Sequence, residues 1–293
     1  DREALTQLLT DIRPSEFVDL AAAFDPESVA ELLEAIPEEW RADFVAELEP
    51  EEAADYIQTL ELGEAADLLE EMDPDDAADI FAEIPKVQAE QILIQMEPNE
   101  AAELTELVAY PPDTAGGIMT PAFVAISPDL RADAAVVALR KVAEEAETIY
   151  YVYVIDAEER FLGVLSLHRL VLSPPDTPVG DLMVRAAVRA RATDDQEVVA
   201  RMITDYNLLA IPVVDEEDRL IGIVTQDDIA DVLEEEATED IERLGGWSRD
   251  HEVDEVLGDQ TGVTGLRIKS VADRTKRDLS VTGVVIAVRH TPN

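Results

Sequence analysis

Between residues 48 and 108 the chain repeats every 12 residues, and few folds can absorb that period. Ala53, Ala65, Ala77, Ala89 and Ala101 share one phase; Tyr56, Leu68, Ile80, Ile92 and Leu104 share a second; Leu48, Leu60, Met72, Ile84, Met96 and Val108 share a third. Pro50, Pro74 and Pro98 mark helix starts, where a fixed φ and a missing N–H cost nothing. Asp25-Pro26 and Asp73-Pro74 read as an N-cap followed by the first helical residue. Each unit is then a helix of about two turns and a tight corner, too short to be stable alone. Such units must stack, which predicts an all-α solenoid over 1–110. Small Ala at a fixed phase lets helices approach, larger residues fill the core, and the acids fall on the remaining faces as a stripe.

Charge narrows the function classes. The chain has 293 residues, which suggests about two domains, with 67 Asp and Glu against 22 Lys and Arg, net −45. No basic footprint is available for nucleic acid, and an anionic membrane surface is disfavoured. A cation ligand, a basic partner or very salty water suits the balance. Salt adaptation accounts for part of the total, but not for where particular carboxylates fall. The absence of Cys removes disulfides, thiolate metal sites and Cys nucleophiles. His168, His251 and His290 lie too far apart in sequence for a His-rich zinc site. No apolar run approaches the ~20 residues needed to span a bilayer, and there is no signal peptide, so the direct reading is a cytoplasmic piece. The acidity is uneven: 32 acids and 4 bases in 1–110, 28 and 11 in 111–246, but 7 and 7 in 247–293. That last segment reads as a separate unit, a small α/β tail with a short helix and then a β-rich run over 270–290.

After Pro111-Pro112 the pattern changes. "YYVYVIDAEERFLGVLSLHRL" (150–170) and "LAIPVVDEEDRLIGIVTQDDI" (209–229) align without gaps, pairing Asp156 with Asp215, Gly163 with Gly222 and Ser166 with Thr225. Each copy reads as strand, acidic turn, strand and helix. An amphipathic helix (129–146 or 195–206) precedes each copy, and a Met-containing lead-in, "GGIMTP" (116–121) or "VGDLMV" (179–184), precedes that helix. This duplicated βαββα pattern resembles a tandem CBS pair, a Bateman module, with copies at 116–175 and 179–233. The whole order resembles the cytosolic part of the MgtE family of magnesium transporters. The residues that carry the likeness are "YPPDTAGGIMTP" (110–121), "AETIYYVYVID" (146–156), "GVLSL" (163–167), "DDQEVVARMITDYN" (194–207), "PVVDEEDRLIGIVTQDDIADVLEEEATEDI" (212–241) and "RLGG" (243–246). In that family 234–246 corresponds to the helix connecting the CBS pair to a pore. The resemblance stops at Gly246, leaving the fold of 247–293 open.

The resemblance implies a ligand and a set of residues. Magnesium wants hard oxygen donors and keeps several waters, so one or two carboxylates from each of several elements suit it. Two carboxylates about 5 Å apart repel by ~3 kcal/mol at an effective dielectric near 20, and a divalent ion between them reverses the sign. One site at tenfold saturation contributes only ~1.4 kcal/mol, whereas throwing a two-state element nearly completely needs ~5.5 kcal/mol. A weak multi-ion sensor therefore fits better than one tight site. Matches to the family's ion-contacting positions are Asp43, Asp75 and Asp79 in the solenoid, Asp195, Glu197 and Asp228 in the second CBS copy, and Glu236, Glu239 and Asp240 on the exit helix. Asn207 stands where the family usually has Asp, which weakens that position.

A CBS pair also implies a nucleotide pocket of the form Gly-x-x-Ser/Thr-x-x-Asp. The second copy carries it as Gly222, Thr225 and Asp228, whereas the first copy has Arg169 at the Asp position and the family's stacking aromatic is Leu208. Tyr151 remains to stack on an adenine ring. Asp228 cannot easily serve ribose and metal together. No G-x-S-x-G, P-loop or H-E-x-x-H is present, so no enzyme is expected. The leading expectation is a Mg²⁺-sensing gating module. It would dimerise through its CBS pair and act on a membrane pore in the same protein or a separate subunit. The alternative is a CBS-pair sensor of ATP or another adenine nucleotide acting on a separate partner.

Overall fold

The computed structural model describes residues 12–142, 146, 148–185, 187–230, 232–233, 251–259, 262–270 and 276–280. They fall into two units, one up to Ile229 and one from Ala230 onward.

The first unit opens with a solenoid whose described helices all start 12 residues apart. These are α1 (Pro14–Ala21), α2 (Pro26–Ala35), α3 (Glu38–Ala46), α4 (Pro50–Ile57), α5 (Leu62–Glu70), α6 (Pro74–Glu83), α7 (Lys86–Gln95) and α8 (Pro98–Leu107). The repeat thus begins well before residue 48. Its upstream copies escape pattern reading because Phe17, Val29 and Arg41 replace the small residue of the first phase. Phe17 and Phe44 instead pack edge to face at 5.3 Å, filling with aromatic volume what Ala leaves to close approach later. Helices two apart in sequence stack on each other. Two buried stripes hold the layers: Ala53, Ala65, Ala77 with Tyr56, Leu68, Ile80, and Ala54, Ala66, Ala78 with Ile57, Leu69, Phe81. Asp25 caps α2, its carboxylate accepting from the Ser28 N–H at 3.1 Å. Asp73 sits at the corresponding place before α6 but makes no such bond, contrary to the sequence expectation.

Two three-stranded sheets follow, in orders β1-β2-β3 and β4-β5-β6. The first comprises β1 (Ala125–Ile126), β2 (Tyr151–Ile155) and β3 (Phe161–Ser166); the second comprises β4 (Ala190–Arg191), β5 (Ala210–Val214) and β6 (Leu220–Thr225). In each, the first pair is parallel and the second antiparallel, with a register shift at the same point, Val154/Ile155 and Val213/Val214. Both acidic turns carry one left-handed residue, Glu159 at φ 64° and Asp218 at φ 62°. Helices α9 (Ala132–Val142), α10 (Leu167–Leu172), α11 (Val179–Leu182) and α12 (Gln196–Tyr206) complete the pair.

The lead-ins cross over between the copies. Thr120, ahead of the first copy, pairs with Ile223 of the second, and Val184, ahead of the second, pairs with Val164 of the first. A methyl on Gly222 would stand 2.7 Å from the Met119 sulfur, and one on Gly163 2.5 Å from the Val184 carbonyl oxygen. The two glycines admit the exchanged segments. Between the sheets Tyr153, Phe161, Val214 and Ile223 form a shared core.

In the second unit β7 (His251–Asp259), β8 (Gly262–Ser270) and β9 (Lys276–Ser280) form an antiparallel meander in that order. The helix expected at the start of 270–290 is corrected for the described residues there, since Ser270 and 276–280 are strand. Residues 271–275 lie outside the description.

Candidate functional site

The solenoid is tied to the second CBS copy. Past α8 the chain forms no helix from 108 to 122. Instead the Ala115 N–H donates to the Asp194 carbonyl at 2.7 Å, the Gly116 N–H to Ala192 at 2.9 Å, and the Gln196 N–H to the Asp113 carbonyl at 3.0 Å. Burial raises the pKa of Tyr110, aided by Glu106 of α8 and by Asp215 of the second acidic turn.

Across this junction Asp73 lies within electrostatic reach of two other carboxylates. Asp73, freed from capping, still reaches solvent, yet desolvation raises its pKa, and the charges of Asp43 on α3 and Asp227 on the helix beginning at 226 raise it further. Two of these, Asp73 and Asp227, were not singled out from the sequence. Asp73 looked spent as a cap, and Asp227 adjoins the motif-matched Asp228. Among the described residues no three His, Asp or Glu side chains stand close enough to enclose one ion. What the arrangement offers is repulsion between elements, with oxygen-only donors of the kind that hold hydrated Mg²⁺ through one or two carboxylates.

The motif-matched residues take several positions. Asp43 is one of the two charges that act on Asp73, and Asp75 and Asp79 follow Asp73 along α6. Asp195 caps α12, accepting from the Glu197 N–H at 2.9 Å, and Glu197 pairs with Arg201 at 3.0 Å. Asn207 ends α12 in the left-handed conformation, φ 49°, which Asn tolerates better than most residues. Asp228 Oδ2 accepts from the Thr225 N–H at 2.8 Å and competes with Asp227 Oδ1 for the single Thr225 hydroxyl proton. Glu236, Glu239 and Asp240 lie outside the described residues.

The second-copy nucleotide motif is similarly committed: Gly222 faces Met119, and Thr225, itself buried, holds Asp228. An open cavity lies at the first copy. It measures about 570 Å³ and is lined by Tyr150, Tyr151, Ser166, Leu167, His168, Val171, Leu172 and Leu209. Tyr151 is thus placed in a cavity, as its stacking role would need, while Gly222, Thr225 and Asp228 do not line it.

The family model for the MgtE intracellular N domain matches residues 3–113, and the CBS domain model matches 115–174 and 179–235. The magnesium transporter MgtE of Thermus thermophilus is 50% identical over 143 residues, 49% of this chain and 32% of that protein. A crystal structure of the cytosolic domain of the Mg²⁺ channel MgtE in complex with ATP superposes with a TM-score of 0.75 at 38% identity, covering 79% of this chain and 95% of that one. A shorter match, 47% identical over 47 residues, is to a thioredoxin reductase of Coxiella burnetii; it covers 16% of this chain and 14% of that protein. The chain spans about a third of the length of the curated transporters it matches.

Proposed function

The chain belongs to the MgtE family of magnesium transporters, and from that premise we propose that it senses magnesium on the cytoplasmic side of a membrane and gates a pore. The observation that carries this reading is electrostatic: the charges of Asp43 in the solenoid and of Asp227 in the second CBS copy both act on Asp73 and disfavour its ionisation. Without a cation their repulsion favours an open arrangement of solenoid and CBS pair. Mg²⁺ shared across the junction favours the compact one, so ion concentration becomes docking free energy. Asp75, Asp79, Asp195, Glu197, Asn207 and Asp228, with Glu236, Glu239 and Asp240 further on, supply the weak supplementary positions a multi-ion response needs. The pore is a membrane domain or subunit outside these residues, and the gating unit is a CBS-paired homodimer. The reading involves no catalysis. The short match to a thioredoxin reductase, 16% of this chain, carries no part of this reading.

Small-angle scattering tests this. Millimolar Mg²⁺ should shrink the molecule and protect 105–120 from proteolysis, and superimposable curves with and without Mg²⁺ at matched ionic strength would overturn it. A second reading, adenine-nucleotide binding beside Tyr151, is favoured by the first-copy cavity and by the ATP complex of the relative. Calorimetric titration with ATP, comparing Tyr151→Ala, checks it.

A further inference from the structure

The two CBS copies differ in charge at one place. The 59-residue offset that aligns Gly163 with Gly222 also aligns His168 and Arg169 with Asp227 and Asp228. The fold uses the two pairs differently. In the second copy both carboxylates lie within hydrogen-bonding reach of the Thr225 hydroxyl. In the first copy His168 lines the cavity of about 570 Å³, and Arg169, next to it on α10, is exposed.

The lining decides what this cavity can hold. Among the described residues no Asp or Glu borders it, in a chain of net −45. Beside Tyr151 its walls are the aliphatic side chains of Leu167, Val171, Leu172 and Leu209. An apolar cavity of ordinary ligand-site volume suits a flat ring stacked on Tyr151. The polar groups are the hydroxyls of Tyr150, Tyr151 and Ser166 and the imidazole of His168. Ser166 Oγ already accepts from the Arg169 N–H at 3.3 Å, and a hydroxyl so engaged still has its proton to donate. A guanidinium donates and never accepts. These groups suit the anionic end of a ligand. A ribose diol is best held by a carboxylate, which accepts from both hydroxyls, and the lining supplies none.

We propose that the first-copy cavity recognises a nucleotide by its ring and its phosphates and not by its ribose, with Arg169 setting that specificity. This deepens the nucleotide reading beside Tyr151 and rests on it. The ring stacks on Tyr151, and the phosphates run over α10 toward His168 and Arg169, whose guanidinium can meet phosphate oxygens two at a time. The aligned place in the second copy repels the same ligand, because Asp227 and Asp228 put two carboxylates where the first copy has His168 and Arg169.

Calorimetric titration of the full chain without Mg²⁺, using ATP, 2′,3′-dideoxy-ATP and adenosine, tests this. ATP and the dideoxy compound should bind within about twofold of each other. Adenosine, which lacks the phosphates, should bind at least about tenfold more weakly. Arg169→Ala should weaken ATP binding by about tenfold and leave the melting temperature unchanged, because the side chain is exposed. The proposal is overturned if the dideoxy compound binds the wild type at least about tenfold more weakly than ATP. It is equally overturned if adenosine matches ATP, or if Arg169→Ala leaves the ATP affinity unchanged. In those three cases ATP still binds and the nucleotide reading stands. A wild type that binds no ATP overturns both together.

Discussion

At the scale of single residues, Asp73 is the informative one. A carboxylate placed before a helix that begins with Pro is ordinarily read as a cap, worth about 1 kcal/mol. Here the side chain forgoes that bond, and desolvation, aided by the charges of Asp43 and Asp227, disfavours its ionisation. The sign of the pH dependence follows. Asp73 binds its proton more tightly in the folded, docked state than in the unfolded chain, so its contribution is fully present below the unfolded pKa. That contribution is lost as pH rises through the raised folded value. Lowering the pH through that raised value without Mg²⁺ should therefore compact the molecule and stabilise it, imitating the ion. Asp73→Asn should remove much of that pH dependence and leave a molecule already more compact at pH 7. Scattering across the pH range with and without the substitution measures both effects, and a wild type whose size is independent of pH would count against the repulsive junction.

At the scale of elements, the 12-residue period made the solenoid legible, because a fixed phase of Ala and of larger residues leaves few ways to bury both. Only its upstream half was hidden, where Phe17 and Arg41 replace Ala and the interior is filled differently. The CBS copies were legible from the 59-residue offset that aligns Asp156 with Asp215. Their crossed lead-ins were not, since Met119 and Met183 give no sign of which copy they will meet. The metal-matched acids divide along the same line. A motif marks residue type and spacing, so it found Asp195 and Asn207, which turn out to cap and terminate α12. It could not show that Asp73 and Asp227, distant in sequence, would come within reach of each other's charge. The crossing itself predicts an asymmetry. Gly163→Ala drives a methyl against the Val184 backbone, which cannot rotate away, whereas Gly222→Ala meets the Met119 side chain. Chemical denaturation should give Gly163→Ala the larger loss, about 1–3 kcal/mol, and equal losses would mean that the lead-ins are looser than described.

At the scale of the whole first unit, the question is whether a few carboxylates or the diffuse charge of −45 controls compaction. The two accounts separate under paired substitution. If Asp73 and Asp227 face one another across the junction, either Asp→Asn change removes the same repulsion and the same shared ion. Each alone should then abolish much of the Mg²⁺-induced shrinkage, and the double variant should do little more, since residues in one network do not add. Asp228→Asn should behave differently. Its carboxylate accepts from the buried Thr225 N–H, so its loss should cost about 1–3 kcal/mol of stability while much of the Mg²⁺ response survives. Glu158→Gln with Glu216→Gln, exposed acids of the two turns, removes as much charge as the Asp73/Asp227 pair but touches neither the junction nor a cap. Diffuse screening predicts that this control blunts the response as far as Asp73→Asn with Asp227→Asn does. The junction account predicts a response indistinguishable from wild type, so scattering titrations of the two double variants at matched ionic strength decide between them.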